Sequence, residues 1–326
     1  MDCAAASQCS IDVSDIFFDE TFTAQPADGF EFVGWRRQHR GLCGGRQEPC
    51  QLVSGDAEGN PILMAFLESP EEVFTLEPEF RSEGFNSLFI GHSFFRPFAE
   101  GMPFHTEQTG ITAHSQHIVF SGGASGAPQA LWERESKRVQ IQDILDAGNV
   151  ELFAMTYHPD YPTTEGYENW IEYALERNPG VRIAIALPWL TQPSDFDDAT
   201  YEAVWTAFRT GEFQTGINFL RRKYPDTEIF SIPYGQAAIE LRHLFTAGEL
   251  DDVEAMRIRN GDGIFRDPLG HADDILVELG RLVWISAIYG IDLTTYAYEP
   301  PYQADLKSIA AKILAEQDPA FKAPYF

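Results

Sequence analysis

The stretch Leu88-Phe89-Ile90-Gly91-His92-Ser93-Phe94-Phe95-Arg96-Pro97-Phe98 decides how this chain is read. An apolar run ends in Gly-x-Ser and gives way to an amphipathic pattern, which predicts a strand, a sharp turn and a helix. Ser93 then stands between a strand's C-terminal end and a helix N-terminus, where ligands bind in open α/β sheets. The helix end also offers backbone N–H groups and a positive dipole, both suited to a developing oxyanion. The same position suits a serine that merely caps the helix. Far downstream, Asp267-Pro268-Leu269-Gly270-His271 sets a carboxylate and an imidazole four residues apart, ahead of a long helical pattern. An early serine with a late, adjacent Asp and His is a chain order found among serine hydrolases. The Asp267/His271 pair also fits a helix-start carboxylate beside a solvated histidine.

From about residue 81 the pattern alternates short apolar strands with helices. The strands are expected at Ser87–Ile90, His117–Phe120, Val150–Met155, Val181–Leu187 and Glu228–Ile232. Helices are expected at Phe94–Glu100, Ala127–Glu135, Ile141–Ala147, Tyr167–Arg177, Tyr201–Tyr224 and Asp273–Tyr289. That alternation implies an α/β fold whose parallel sheet is covered on both faces. Residues 10–80 read differently, as a small β module. Thr21–Ala24 and Phe30–Val33 alternate apolar and polar positions around Gln25-Pro26-Ala27-Asp28-Gly29, a turn signal between two strands. Two domains follow, 10–80 and 81–326.

The chain of 326 residues carries 23 basic and 50 acidic side chains, a formal charge of −27. Phosphate binding needs a basic face, so nucleic acid is excluded as a partner. Such acidity favours a soluble monomer. No run of about 18 apolar residues occurs, so no transmembrane helix is expected. The four cysteines, Cys3, Cys9, Cys43 and Cys50, all lie in the first 50 residues. Their pairing in sequence favours Cys3–Cys9 and Cys43–Cys50 disulfides, although four cysteines allow three connectivities. The spacings are too wide for a usual zinc site, and no metal or cofactor is expected. Disulfides imply an oxidising compartment, hence a secreted, periplasmic or cell-surface protein whose leader has been removed. A lipid-bearing Cys3 is the competing reading of the N-terminus.

With Ser93 and Asp267/His271 placed, residues 87–290 resemble the SGNH (GDSL-type) hydrolase superfamily. The resemblance implies a flavodoxin-like three-layer α/β/α sandwich. Its first block corresponds to Gly91-His92-Ser93, with His92 where the family commonly has Asp. The second corresponds to Ser121-Gly122-Gly123-Ala124-Ser125-Gly126, where Gly126 is matched to the glycine whose N–H joins that of Ser93 in the oxyanion hole. The third usually supplies an Asn amide to that hole. Here Met155-Thr156-Tyr157-His158-Pro159 occupies the place without an Asn, so His158, or else Tyr157, is expected to donate instead. The last block has three residues between acid and base where the family has two, which leaves Asp267 as the orienting acid and Asp262 in reserve. Within residues 20–80, Phe22-Thr23-Ala24, Pro26, Gly29-Phe30, Phe32, Gly34-Trp35, two cysteines and a strand ending at Phe80 resemble a divergent bacterial repeat related to the InlB B-repeat.

Together these features point to a carboxylic-ester hydrolase using a Ser93–His271–Asp267 triad, acting on O-acyl groups of a polysaccharide. His92 and Phe94 are expected to line the substrate pocket. Phe95, Phe98 and Phe104 follow helical spacing and are expected in the core. Trp132, Trp170 and Trp189 are read either as core or as platforms for sugar rings. A lipase, thioesterase or polyester hydrolase on the same triad remains open, as does a non-catalytic surface glycan-binding protein with a degenerate hydrolase domain.

Overall fold

The computed structural model describes residues 10–13, 17–26, 30–67, 69, 73–259 and 261–323. The chain divides into two compact units, Met1–Ser82 and Glu83–Phe326. Cys3 and Cys9, with their expected disulfide, lie outside the described residues, as does the Ala27–Gly29 part of the expected turn.

In the first unit, Asp19–Phe22 pairs antiparallel with Cys50–Val53, and Phe30–Trp35 pairs antiparallel with Pro78–Ser82. Thr21–Ala24 and Phe30–Val33, expected as strands on either side of a turn, do not lead into one sheet: the strands here, Asp19–Phe22 and Phe30–Trp35, belong to different sheets. Alternation specifies that a segment is extended but not which segment lies beside it. Long-range contacts decide the partner here. Cys50, opposite Phe22, is bonded to Cys43, and Phe32 packs its ring on Phe80 at 6.0 Å and on Trp35 at 5.3 Å. The apolar run at Ile62–Phe66 is not β-structure either. It lies in a helix, Pro61–Leu67, whose start is favoured by proline at the first position and by Asn60 accepting the Ile62 N–H.

The second unit is built on five parallel strands: β1 (Asn86–Gly91), β2 (Ser115–Phe120), β3 (Leu152–Thr156), β4 (Arg182–Ala186) and β5 (Ile229–Ile232). Their order across the sheet is 2-1-3-4-5, which is the flavodoxin-like arrangement with its reversal beside β1. All five expected strands are present, with ends shifted by one or two residues. They were legible because a strand buried on both faces must be apolar at consecutive positions. In β1, Leu88 and Ile90 enter a core with Phe153, Ile183, Trp170 and Trp205, while Phe89 meets Trp284 edge-on at 5.6 Å.

The helices form the outer layers. They are α1 (Arg96–Thr109), α2 (Pro128–Glu133), α3 (Glu135–Leu145), α4 (Glu165–Leu175), α5 (Asp198–Phe208), α6 (Gln214–Lys223), α7 (Gln236–Ala247), α8 (Asp274–Tyr289) and α9 (Leu306–Glu316). α1 and α8 pack together, and α8 also touches α7 and α9.

Three departures from expectation have local causes. α1 runs on past Glu100 despite Pro103, whose missing N–H would orphan the Ala99 carbonyl; Gln116 of β2 donates its side-chain amide to that carbonyl at 2.9 Å. The stretch expected as Ala127–Glu135 breaks at Arg134, which is extended between α2 and α3. The long helix expected over Tyr201–Tyr224 is instead α5, a π-helical turn at Arg209–Phe213, and α6. α7 and α9 escaped the pattern reading.

Candidate active site

The sheet delivers Ser93 to a tight turn. β1 ends at Gly91, the Phe95 N–H donates to the His92 carbonyl at 3.1 Å, and α1 begins only at Arg96. The N-cap of α1 is Phe95, without a side-chain capping bond, so Ser93 does not act as the cap. Its hydroxyl lies 2.7 Å from His271 Nε2, while His271 Nδ1 lies 2.6 Å from Asp267 Oδ2. Because an ionised carboxylate only accepts, Nδ1 carries the proton, which leaves Nε2 free to accept from Ser93.

Asp267 is held from several sides. Its Oδ1 accepts the backbone N–H groups of Gly270 at 3.0 Å and His271 at 3.1 Å, closing the five-residue loop that contains the extra residue. Partial burial works against the carboxylate's charge, but these bonds and the one from the imidazole outweigh it and hold Asp267 below the ordinary carboxylate range. Asp262 is exposed and sits elsewhere, its backbone carbonyl accepting from Glu254.

The loop's own support was not legible in the sequence. Gly270 has φ +94°, and a Cβ there would meet Pro193 at 2.7 Å. Trp189 donates its indole N–H to the Gly270 carbonyl at 2.8 Å, and Gln192 donates its N–H to Leu269 at 3.0 Å. The segment after β4 is fastened in turn by Arg242 of α7, which is 3 % exposed and donates to the carbonyls of Pro193 and Phe196 and to Asp198. A buried arginine with every contact long-range leaves no local pattern to find.

Phe94 and His92, expected to line the pocket, are both 4 % exposed. Both lie largely buried beside the Ser93 turn. The Phe94 ring stacks on Trp189 at 5.0 Å and meets the His271 ring edge-on at 5.1 Å. His92 donates Nε2–H to the Tyr157 carbonyl at 2.9 Å, and burial pulls its pKa down to about 4, so it is a neutral tie. The tryptophans serve the interior: Trp170 and Trp189 are buried, and Trp132 packs edge-on against Trp170 at 4.7 Å. Phe95 and Phe98 are fully buried, whereas Phe104 is exposed.

Around the position an oxyanion would occupy, the expected donors separate. Tyr157 is spent: its hydroxyl donates to Glu212 at 2.6 Å, and its ring packs on Phe208 and Phe213. His158 is different. The Asp160 N–H donates to its Nδ1 at 3.2 Å, so Nε2 carries the proton, and burial lowers its pKa and keeps the ring neutral. Its ring stands edge-on to His92 at 5.1 Å, beside the Ser93 turn.

Gly126 is buried inside the single 3-10 turn Gly123–Gly126, where its N–H falls within the turn's own i to i+3 pairing. A Cβ there would lie 2.5 Å from the Gly91 and Ser121 carbonyls, so this turn packs closely on β1. Gly122 and Gly123 are both exposed. Ser121 N–H extends the β1–β2 ladder to the Gly91 carbonyl at 3.1 Å, which puts Gly122 next to the Ser93 turn with open space before it. Among the described residues, the N–H groups of Ser93 and Gly122 donate to no protein acceptor. No group of three or more His, Cys, Asp or Glu among the described residues is arranged to hold a metal ion, and no described helix is long and apolar enough to cross a membrane.

No family model and no curated protein matches this chain. Among solved structures, it is similar to a DUF4886 family protein from Bacteroides uniformis, at 15 % identity and a TM-score of 0.51, over 72 % of this chain and 95 % of that one. It is also similar to a candidate GDSL-like lipase from Parabacteroides merdae, at 15 % identity and a TM-score of 0.38, over 61 % and 93 % of the two chains. A third is the periplasmic domain of a lipopolysaccharide acetyltransferase from Salmonella ser. Paratyphi A, at 14 % identity and a TM-score of 0.33, over 48 % and 69 %. At such identity the likeness to the first of these is one of fold alone, a three-layer α/β/α sandwich.

Proposed function

We propose that this chain is a secreted serine ester hydrolase that removes O-acyl groups, acetyl in the first instance, from a polysaccharide. The observation that carries the reading is the continuous relay from Ser93 Oγ through His271 to Asp267, at 2.7 and 2.6 Å. A serine hydroxyl is a weak nucleophile at neutral pH and needs a base within hydrogen-bond reach. In the proposed cycle His271 takes the Ser93 proton as Oγ attacks the ester carbonyl, and Asp267 stabilises the imidazolium. The N–H groups of Ser93 and Gly122 and the Nε2–H of His158 hold the oxyanion. His271 then returns the proton to the departing alcohol, and water, deprotonated by the same imidazole, releases the acyl group from Ser93.

An intact relay argues against a degenerate, purely glycan-binding domain, which would have no reason to keep these three side chains in register. The Cys43–Cys50 disulfide supports an oxidising compartment. The test is turnover of p-nitrophenyl esters from acetate to decanoate by the wild-type protein and by Ser93→Ala. The reading expects acetate to be the best substrate and the variant to lose at least a thousandfold in kcat with an unchanged circular dichroism spectrum. Turnover retained in folded Ser93→Ala would overturn it.

A further inference from the structure

Gly122, proposed above as an oxyanion donor, has no packing of its own to hold it. Glycine explores more backbone conformations than other residues, and apart from its chain neighbours no heavy atom lies within 4 Å of the place a Cβ would take. An oxyanion donor is effective only when its N–H already points to where charge develops. Residue 122, extended at φ −74° and ψ 142°, therefore has to be fixed from outside.

Two ties do this. On one side the Ser121 N–H donates to the Gly91 carbonyl at 3.1 Å. On the other the Ser125 hydroxyl donates to the Gly122 carbonyl at 2.7 Å. The peptide between these anchors bears the donor N–H. Ser125 also ends a longer chain: its Oγ lies 2.7 Å from that of Ser121, and Arg134 donates Nη1–H to Ser121 Oγ at 3.1 Å. The direction of the chain follows from the donors available. The Ser125 proton goes to the Gly122 carbonyl, so Ser121 donates to Ser125 and accepts from a guanidinium that can only donate. Every bond then points from Arg134 towards Gly122, an order in which each polarises the next. Arg134 is the residue at which the helix expected over Ala127–Glu135 breaks. Glu133 and Glu135 flank it, yet among the described residues it forms no ion pair and turns its side chain back onto Ser121.

We propose that Ser125 is a positioning residue for oxyanion stabilisation: its hydroxyl, oriented by Ser121 and Arg134, fixes residue 122 so that its N–H is preorganised beside the Ser93 turn. The inference rests on the ester-hydrolase reading and deepens it by naming what holds one of its donors in place. A bond that merely stabilised the turn would act on stability alone. A positioning bond acts on the transition state, so its loss lowers kcat while substrate binding is nearly unchanged.

Ser125→Ala should lower kcat on p-nitrophenyl acetate about tenfold, less than the loss expected for deleting a donor, because the N–H is loosened and not removed. KM should change by no more than about twofold. Ser125→Thr, which keeps the hydroxyl, should bring kcat back to within about threefold of wild type, and Arg134→Met should cost severalfold. Phenylboronic acid supplies a second readout. Its boron bonds to Ser93 Oγ and sets a boron-bound oxygen at the oxyanion position, so its affinity for Ser125→Ala should fall by the same factor as kcat/KM. Wild-type kcat and boronate affinity in folded Ser125→Ala, with only a lower urea midpoint, would overturn the positioning role, as would a Ser125→Thr protein as slow as Ser125→Ala. Wild-type protein inert towards every ester and unable to bind the boronate would sink the hydrolase reading itself, and this role with it.

Discussion

His92 bridges two strand ends: its Nε2–H donates to the Tyr157 carbonyl at 2.9 Å, and its Nδ1 takes the Phe94 N–H at 3.4 Å. The ring therefore joins the turn carrying Ser93 to the segment carrying His158. A carboxylate at this position could accept the N–H but could not donate to the carbonyl. The imidazole does both only while neutral, which its burial ensures.

Asp267→Asn should lower kcat on p-nitrophenyl acetate by roughly 10⁴-fold, the size of effect this change has in another triad, because the amide no longer fixes the productive tautomer of His271. The loop should keep its shape, since the remaining side-chain oxygen can still accept from Gly270 and His271. Activity within tenfold of wild type would remove Asp267 from the relay.

His158→Ala should reduce kcat about a hundredfold or more, with KM little changed, as expected for loss of an oxyanion donor. Tyr157→Phe should cost less than tenfold, because its hydroxyl is already committed to Glu212. The reverse ranking would exchange the two roles, and unchanged kcat in both would leave the oxyanion to backbone donors.

Gly126→Ala should destabilise the fold by several kcal/mol, since its Cβ would be pressed against two backbone carbonyls and the His92 Cα, none of which can step aside. Gly122→Ala, with open space before it, should unfold at the wild-type urea midpoint. Equal midpoints for Gly126→Ala and wild type would contradict the packing role.

Stability should fall as pH drops from about 6.5 toward 4. His92 and His105 are buried, and desolvation lowers each pKa to about 4, whereas the unfolded chain titrates near 6.5. Between these values the unfolded state binds more protons, so the folded state's advantage is complete above pH 6.5 and is lost on acidification. At pH 5 the loss is about 2 kcal/mol for each histidine. Urea unfolding at pH 7.5 and 5.0 checks this: replacing both residues with Gln should remove about 4 kcal/mol of the pH dependence. An identical pH slope in wild type and the double variant would refute it.

The five strands and most helices were legible because burial on both faces imposes apolar runs, and helix–solvent contact imposes a period near 3.6. That Ser93, His271 and Asp267 belong together as a candidate site was legible for a related reason: the proposed chemistry requires particular residue types, and a parallel sheet concentrates sites at the C-terminal ends of its strands. Gly122, Gly123 and Gly126 look alike as letters, and only the fold distinguishes the one pressed against Gly91 from the two that face open space. In the first unit, alternation marked Phe30–Val33 as extended but not its partner, Pro78–Ser82.

Local pattern and residue chemistry therefore marked the sheet strands and most helices of the second unit and singled out Ser93, His271 and Asp267 as candidates. Properties of pairs far apart in the chain came only with the folded structure. Strand partners in the first unit, the commitment of Tyr157 to Glu212 55 residues away, and the hold of Arg242 on the segment after β4 are all of this kind. The physical reason is that a hydrogen bond or packed contact depends on distance and direction in space, and those are set by how whole layers stack, not by the order of neighbouring residues.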